Sequence, residues 1–252
     1  MTPPEQRLAI IILAAGKGIR MRNPETAKVM YQLDGRPMVE HVTQLAFSLH
    51  PQRVIIVVGH QKQLVVNHIS TLFPSAEFVD QLEQLGTGHA VMQTEGALRA
   101  FDGSVLVLSG DVPLLTQRTL ERLLRRHRQI RAVATVLTAE LANPKGYGRV
   151  VRNANGTLEK IAEEKDADPE SWQIREINSG VYVFKKAELF EALRFITPEN
   201  AQHEYYLTDV FEYFWNRGWK VAALKAERPQ ETSGVNSAEE LDYVRKLYRP
   251  RS

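Results

Sequence analysis

The 252-residue sequence contains no cysteine. This absence excludes disulfide bonds and thiolate metal sites, so any metal ion would be held by oxygen or histidine ligands. Long hydrophobic runs are lacking too, since the longest are about strand length, against the roughly 20 residues that a membrane helix needs. The N-terminal residues "MTPPEQR" do not show the basic and then apolar pattern of a secretory signal. We therefore expect a cytoplasmic protein with no membrane partner.

The sequence also lacks a large excess of either charge, because 32 Lys and Arg oppose 30 Asp and Glu and leave a net charge of +2. Such a balance does not indicate a nucleic-acid partner. One segment, "RTLERLLRRHRQIR" at 118–131, holds six arginines. Its apolar residues recur at helical spacing, which predicts an amphipathic helix with its arginines in water. RNA binding by this segment is the less favoured alternative.

Strands and helices alternate in the first half of the sequence. The predicted elements are strand 8–15, helix 37–49, strand 53–59, strand 77–80, helix 88–100, strand 104–109 and helix 117–130. Apolar runs such as "LAIIILAA" are typical of central parallel strands that are buried on both faces. This order predicts right-handed crossovers and a mostly parallel sheet with helices on both faces.

The second half has a different pattern. Strand-like segments follow residue 132, with "NANG" as a hairpin turn, so mixed or antiparallel strands join the sheet. Helices near 187–195 and 208–217, a strand at 220–226 and a last helix then follow, and Ser237 and Glu240 fit a capping box at that last helix. We predict one domain over 1–252 in an α/β, Rossmann-like three-layer fold with a mixed, mostly parallel sheet. Residues 140–210 would cover one side of its carboxyl edge, where ligands bind in open α/β sheets.

A glycine loop, "AAGKGIRM", follows the first strand. It does not fit the dinucleotide fingerprint, because Met21 stands where the third glycine belongs, and it does not fit the P-loop pattern either. Backbone amides together with Lys17, Arg20 and Lys28 would suit a triphosphate. The alternative is a glycine turn with incidental surface cations.

Two further segments carry candidate ligand-binding groups. In "EQLGTGHAV", Gly86 and Thr87 precede a predicted helix, where amides and a hydroxyl can approach a base or a sugar. In "VLVLSGDVPLL", Asp111 follows a buried strand, at the sheet's carboxyl edge. A carboxylate there is well placed to bind Mg²⁺. A helix cap or a turn aspartate is the alternative for Asp111.

Nine blocks in order carry a family resemblance: "LAAGKGIRM", "AKVM", "EQLGTGHAV", "GDVPLL", "GYGRVV", "AEEKDA", "EINSGVYVF", "EYYLTD" and "GVNS". Over about 8–245 the sequence resembles the sugar-nucleotide pyrophosphorylases of the nucleotidyltransferase superfamily. It is most similar there to the uridylyltransferase domains of bacterial bifunctional enzymes that act on N-acetylglucosamine 1-phosphate. The resemblance implies the nucleotide-diphospho-sugar transferase fold.

The resemblance also implies roles for individual residues. It places Arg20 and Lys28 on the triphosphate as catalytic residues, and Asp111 and Asn236 as ligands of Mg²⁺. The implied nucleotide-binding residues are Leu13, Ala14, Ala15, Gly16, Gln81, Gly86 and Thr87. The implied sugar-binding residues are Gly148, Glu163, Asn178, Glu204, Tyr206 and Thr208.

The activity implied by the resemblance is the reaction of UTP with N-acetylglucosamine 1-phosphate, with Mg²⁺, to give the UDP-sugar and pyrophosphate. The partners would be these small molecules, and we expect a monomer or small homo-oligomer rather than the trimer that a β-helix domain builds. Ile19, Ser109 and Glu164 depart from the family pattern and bear on substrate fit. The alternatives are another nucleotide or sugar 1-phosphate, and a catalytically silent sensor of sugar nucleotides.

Overall fold

A computed structural model describes residues 7–16, 18 and 26–248, and the structural statements below concern these residues. Arg20 and Lys17, two of the three cations assigned to the glycine loop, lie outside them. The strands are β1 (Leu8–Ala14), β2 (Gln32–Leu33), β3 (Arg36–Pro37), β4 (Arg53–Val58), β5 (Glu77–Asp80), β6 (Ser104–Ser109), β7 (Ala134–Glu140), β8 (Arg149–Arg152), β9 (Leu158–Ala162), β10 (Glu176–Lys185) and β11 (Val221–Lys225).

The main sheet has the strand order β11-β7-β10-β6-β1-β4-β5. Parallel pairing joins β6 to β1, β1 to β4, β4 to β5 and β11 to β7. β10 lies antiparallel between β6 and β7, and the β8–β9 hairpin pairs with β10. The predicted mixed, mostly parallel sheet is therefore confirmed.

Seven helices are described: α1 (Met38–Ser48), α2 (Lys62–Leu72), α3 (Thr87–Met92), α4 (Gln117–Ile130), α5 (Lys186–Leu193), α6 (Asp209–Asn216) and α7 (Ala238–Leu247). Short 3-10 helices cover Lys28–Met30, Ser171–Gln173 and Pro229–Thr232. None of these helices combines the length and the apolar character that a membrane crossing requires.

The helices form a layer on each face of the sheet. Alternate residues of β1 point to opposite faces, since Ile11 packs in one apolar cluster and Ile10 in the other. α1, α2 and α4 pack on the face of Ile10, whereas α3, α5 and α6 pack on the face of Ile11. α7 adds a smaller cluster with Leu33 and Met38. This arrangement is the predicted three-layer α/β/α architecture.

Two helices differ from the sequence-based expectation. The helix predicted over 88–100 is wrong in extent, because α3 ends at Met92 and turns continue to residue 100. There the Thr94 hydroxyl donates to the carbonyl oxygen of Val91 at 2.7 Å, and Gly96 follows, so the chain leaves the helical ladder. No helix is predicted between β4 and β5, yet α2 lies there.

Candidate active site

A cavity of about 490 Å³ opens at the carboxyl edge of β1 and β6. The lining includes residues from segments far apart in the chain, so the sheet assembles the site. Eleven of the sequence-predicted site residues line it: Leu13, Ala14, Ala15, Gly16, Lys28, Gln81, Gly86, Thr87, Asp111, Glu204 and Asn236. The other predicted sugar-binding residues do not line this cavity, and they form a neighbouring cluster described below.

The glycine loop after β1 approaches Lys28 closely. Gly18 has a φ of +60°, and a Cβ atom there would lie 2.6 Å from the Cβ of Lys28. Any side chain would therefore collide with Lys28 in a backbone conformation that only glycine adopts readily. Gly18 also lines the cavity, as does Gly16.

Lys28, Asp111 and Asn236 meet on the wall of the cavity. The Lys28 ammonium forms an ion pair with the Asp111 carboxylate and donates to the Asn236 Oδ1 at 2.9 Å. The Lys28 and Asp111 side chains are each only 15% exposed. Asp111 and Asn236 lie 83 and 208 positions from Lys28 in the chain, and each directs an oxygen atom at the Lys28 ammonium group.

The backbone fixes Asn236 beside Asp111. The Val235 amide donates to the Asp111 carbonyl oxygen at 3.0 Å. On the other side, Glu240 Oε2 accepts from the amides of Asn236 at 2.5 Å and Ser237 at 3.0 Å. Ser237 and Glu240 form the predicted capping box of α7, so the start of this helix holds the Asn236 side chain at the site.

The opposite wall is built where Gly86 and Thr87 begin α3. Gly86 has a φ of +106°, and a Cβ there would lie 2.6 Å from the Tyr205 carbonyl oxygen. The Thr87 hydroxyl accepts from the Leu207 amide at 3.1 Å. Gln81 is 4% exposed and donates to the Gly86 carbonyl oxygen at 3.0 Å. Segment 204–208 therefore packs directly against the loop that starts α3.

Segment 204–208 also contacts the other predicted sugar-binding residues. Thr208 donates to Glu163 Oε1 at 2.8 Å, and a Cβ on Gly148 would lie 3.3 Å from Glu163 Oε2. The backbone amide of Asn178 donates to the Gly148 carbonyl oxygen at 2.9 Å. Tyr206 donates to Asp166 Oδ2 at 3.1 Å. Gly148, Glu163, Asn178, Tyr206 and Thr208 thus belong to one polar cluster, which Glu204 adjoins.

Three acidic side chains in this cluster have raised pKa values, and burial is the largest cause for each. Burial raises the pKa of Glu163, and the charges of Asp166 and Glu204 raise it further, against the Thr208 hydrogen bond. Burial, followed by the charges of Glu163, Glu212 and Asp166, raises the pKa of Asp209 to about 7. Burial also raises the pKa of Glu204.

Gln84, Asp166 and Asp209 are polar residues of the site that were not singled out for a role from the sequence. Gln84 lines the cavity and donates to the Gln81 carbonyl oxygen at 3.0 Å. Asp166 and Asp209 are acidic residues of the polar cluster around Glu163, and these residues are called the acidic cluster below. All three stand inside or beside the quoted blocks "EQLGTGHAV", "AEEKDA" and "EYYLTD", so their sequence positions could have suggested them, but no spacing rule identifies them.

Comparisons with known proteins agree with this architecture. The model of the nucleotidyl transferase family matches residues 9–229. The bifunctional protein GlmU of Streptococcus agalactiae serotype V is 46% identical over 241 residues, which are 96% of this chain and 52% of that protein. GlmU of Pelotomaculum thermopropionicum is 45% identical over 244 residues, 97% of this chain and 52% of that protein. The chain spans about half the length of the curated relatives it matches.

A crystal structure of UDP-glucose pyrophosphorylase complexed with UDP-glucose aligns with a TM-score of 0.75, over 96% of this chain and 98% of that chain. At 18% identity, this likeness shows the fold: a nucleotide-diphospho-sugar transferase fold. Given the match over 9–229, the chain belongs to the nucleotidyl transferase family.

Proposed function

We propose that this chain is a sugar-1-phosphate uridylyltransferase that converts UTP and N-acetylglucosamine 1-phosphate to UDP-N-acetylglucosamine and pyrophosphate. The observation that carries the proposal is the meeting of Lys28, Asp111 and Asn236 beside a glycine loop, in a cavity at the carboxyl edge of the sheet. Family membership supports a nucleotidyl transfer. The similarity to the GlmU proteins supports the choice of base and sugar.

The donor set around Lys28 fits a divalent cation. A carboxylate and an amide oxygen already hold the ammonium group, and both are ligand types that Mg²⁺ accepts. In the part of the chain that the structure describes, no group of three or more His, Cys, Asp and Glu side chains could form a complete metal cage. Asp111 and Asn236 would therefore hold Mg²⁺ together with substrate phosphate oxygens. When bound, the ion neutralises phosphate charge and orients the reacting groups.

In the proposed reaction, a phosphate oxygen of the sugar 1-phosphate attacks the α-phosphorus of UTP. The bond between the α-phosphorus and the oxygen that bridges it to the β-phosphorus breaks. Pyrophosphate leaves with that electron pair. No general base is needed, because a phosphate monoester has a second pKa near 6 and is largely ionised at neutral pH. Lys28 lines the cavity and would stabilise the charge that develops on the triphosphate. We propose the same task for Arg20.

The remaining predicted residues position the substrates. Gln81, Gly86 and Thr87 would hold the uracil, and Gly148, Glu163, Asn178, Glu204, Tyr206 and Thr208 would line the sugar site. The contacts between segment 204–208 and Thr87 give these two sets a common wall. Substrate oxygen and nitrogen atoms would replace hydrogen bonds that the residues now make to one another.

The test is pyrophosphate release from UTP, CTP, dTTP and ATP paired with a panel of sugar 1-phosphates, with Mg²⁺ and with a chelator. We expect Mg²⁺-dependent release that is greatest for UTP with N-acetylglucosamine 1-phosphate. Asp111→Asn should lower kcat/KM by about 10²-fold or more, since it removes a charge at the reacting phosphates. Asp242→Asn, on the exposed side of α7, is the matched control and should leave the rate unchanged.

Release with a different nucleotide or sugar phosphate would retain the reaction and replace the substrates. The absence of release from every pair, together with retained UDP-sugar binding, would contradict the proposed activity and favour the silent sensor. Full activity in Asp111→Asn would remove Asp111 from the site.

A further inference from the structure

A second cavity, of about 330 Å³, lies at the opposite edge of the sheet from the candidate active site. Its lining includes Ser104, which begins β6, and Lys185, which ends the antiparallel strand β10. β6 extends for about 17 Å between Ser104 and Ser109, which lines the first cavity. The two cavities are therefore separate sites, and the volume of the second is within the range of small-molecule pockets.

Four cationic side chains line this second cavity: Arg128, Arg131, Lys185 and Lys186. None of the four makes a side-chain hydrogen bond or an ion pair with any residue that the structure describes. By contrast, Arg118 and Arg122 on the same helix, α4, both pair with Glu227.

Acidic groups at the second cavity do not balance these cations. Asp102 is engaged with Arg7, at 3.6 Å, and Glu188 is the other acidic residue in the lining. An excess of positive charge therefore surrounds a concave surface. Mutual repulsion between the cations would be relieved by an anion in the cavity.

His127 gives the cavity a buried polar wall. It is only 3% exposed, and its Nδ1 lies 2.9 Å from the Thr135 hydroxyl oxygen. No described residue hydrogen-bonds its other ring nitrogen. If Nδ1 accepts the Thr135 hydroxyl proton, Nε2 carries the ring proton and is a free donor at the cavity.

The first turn of α5 adds the Ala187 amide as a donor, whereas the Lys186 amide already donates to the Gly103 carbonyl oxygen at 3.1 Å. Lys185 is the N-cap residue of α5 and makes no side-chain cap hydrogen bond, and Lys186 and Ala187 line the cavity. The amides at a helix start favour an anion through their orientation and partial charge. This feature supplements the cation cluster and the buried histidine.

We propose that this second cavity binds a small phosphate-bearing anion. Its cations surround one concave surface of about 330 Å³, which suits a small anion better than an RNA strand, whose backbone needs cations along an extended groove. Arg125 and Arg126 are exposed on the same helix but do not line the cavity. The proposal is independent of the reaction assigned to the first cavity.

The test is an amide and histidine-ring NMR titration of the full chain with inorganic pyrophosphate, in chelator and about 0.15 M salt to screen weak surface binding. We expect saturable shifts of the Ala132 and Ala187 amides and the His127 ring. Amides of Gly86 and Thr87 report binding at the first cavity separately. The Arg128→Ala/Lys185→Ala variant should bind at the second cavity about tenfold or more weakly.

The matched control is Arg125→Ala/Arg126→Ala, which removes the same charge from the same helix and should retain the affinity. Lys186→Ala alone provides a milder change if the double variant does not fold. No saturable shift at Ala132 and Ala187 would overturn the proposal, as would an equal loss of affinity in the control. Tighter binding of a short single-stranded RNA, lost in the control variant, would replace it with an RNA-binding surface.

Discussion

Asp209 begins α6 at the edge of the acidic cluster, and its ionisation has a cost to the folded protein. Burial and the nearby Glu163, Glu212 and Asp166 raise its pKa from 3.8 to about 7. Between these values the unfolded chain ionises Asp209 while the folded protein keeps it protonated. The unfolded state then binds fewer protons, so the free energy of unfolding falls as the pH rises through this window.

We therefore predict that Asp209→Asn stabilises the protein relative to the unmodified chain at pH 8, but not at pH 4. The gain should be on the order of 1 to 2 kcal/mol, because water screens this partly exposed group and reduces the full effect of its pKa change. Urea unfolding at both pH values measures it. Asp242→Asn, outside the cluster, should show no such pH dependence, and an equal difference at both pH values would contradict the prediction.

Individual residues of the candidate site differ in how far the sequence could predict them. Asp111 follows a buried apolar strand, so its place at the carboxyl edge could be derived from the pattern. The position of Asn236 could not be derived in this way. Its approach to Asp111 depends on the hydrogen bond from the Val235 amide to the Asp111 carbonyl oxygen, and these two residues are 124 positions apart in the chain. Glu163 and Thr208 likewise meet through tertiary packing, and only the family blocks related them.

At the scale of single elements, the strands with continuous apolar runs were predicted almost to the residue, since burial on both faces leaves a strong signal. Helix α2 was missed because only Val65 and Ile69 of it are buried. Its start also lacks a capping signal, since Gln61 has a φ of +54° and makes no side-chain cap bond. Packing against α1 and β4, which the local sequence does not encode, stabilises this helix.

The start of α7 connects an element's stability to the site. Glu240 accepts from the Asn236 and Ser237 amides, so Glu240→Ala should cost about 1 kcal/mol of stability. Because it also frees the backbone of Asn236, we predict a fall in kcat/KM for pyrophosphate release of about tenfold at fixed Mg²⁺, partly restored by more Mg²⁺. Urea unfolding and the release assay measure the two effects.

Glu239→Ala, one position earlier in α7 and exposed, is the control for the loss of a glutamate from this turn. It should leave the Mg²⁺ dependence unchanged. A Glu240→Ala variant that loses stability but keeps both its rate and its Mg²⁺ dependence would show that the helix cap does not position Asn236.

For the whole molecule, both candidate sites depend on the continuity of one sheet. β6 carries Asp111 just beyond its carboxyl end and Ser104 at its other end, and β10 connects it to β7 and to the β8–β9 hairpin. The polar cluster around Glu163 and Thr208 therefore depends on the same sheet as the cavity around Lys28 and Asp111. Two independent domains would need a boundary between two neighbouring strands of this sheet. Among the described residues, the strand pairing is continuous from β11 to β5 and leaves no such boundary.

We accordingly predict that the chain unfolds as one cooperative unit. All three tryptophans, Trp172, Trp215 and Trp219, lie in the second half, so their fluorescence reports that half alone. Far-UV circular dichroism also reports α1 and α2 of the first half.

Because β6 and β10 pair directly, with Val107 opposite Tyr182, neither half can lose its strands without exposing the other's core. The two urea transitions should coincide in midpoint and slope. A fluorescence transition separated from the circular dichroism transition would instead show two units that unfold independently.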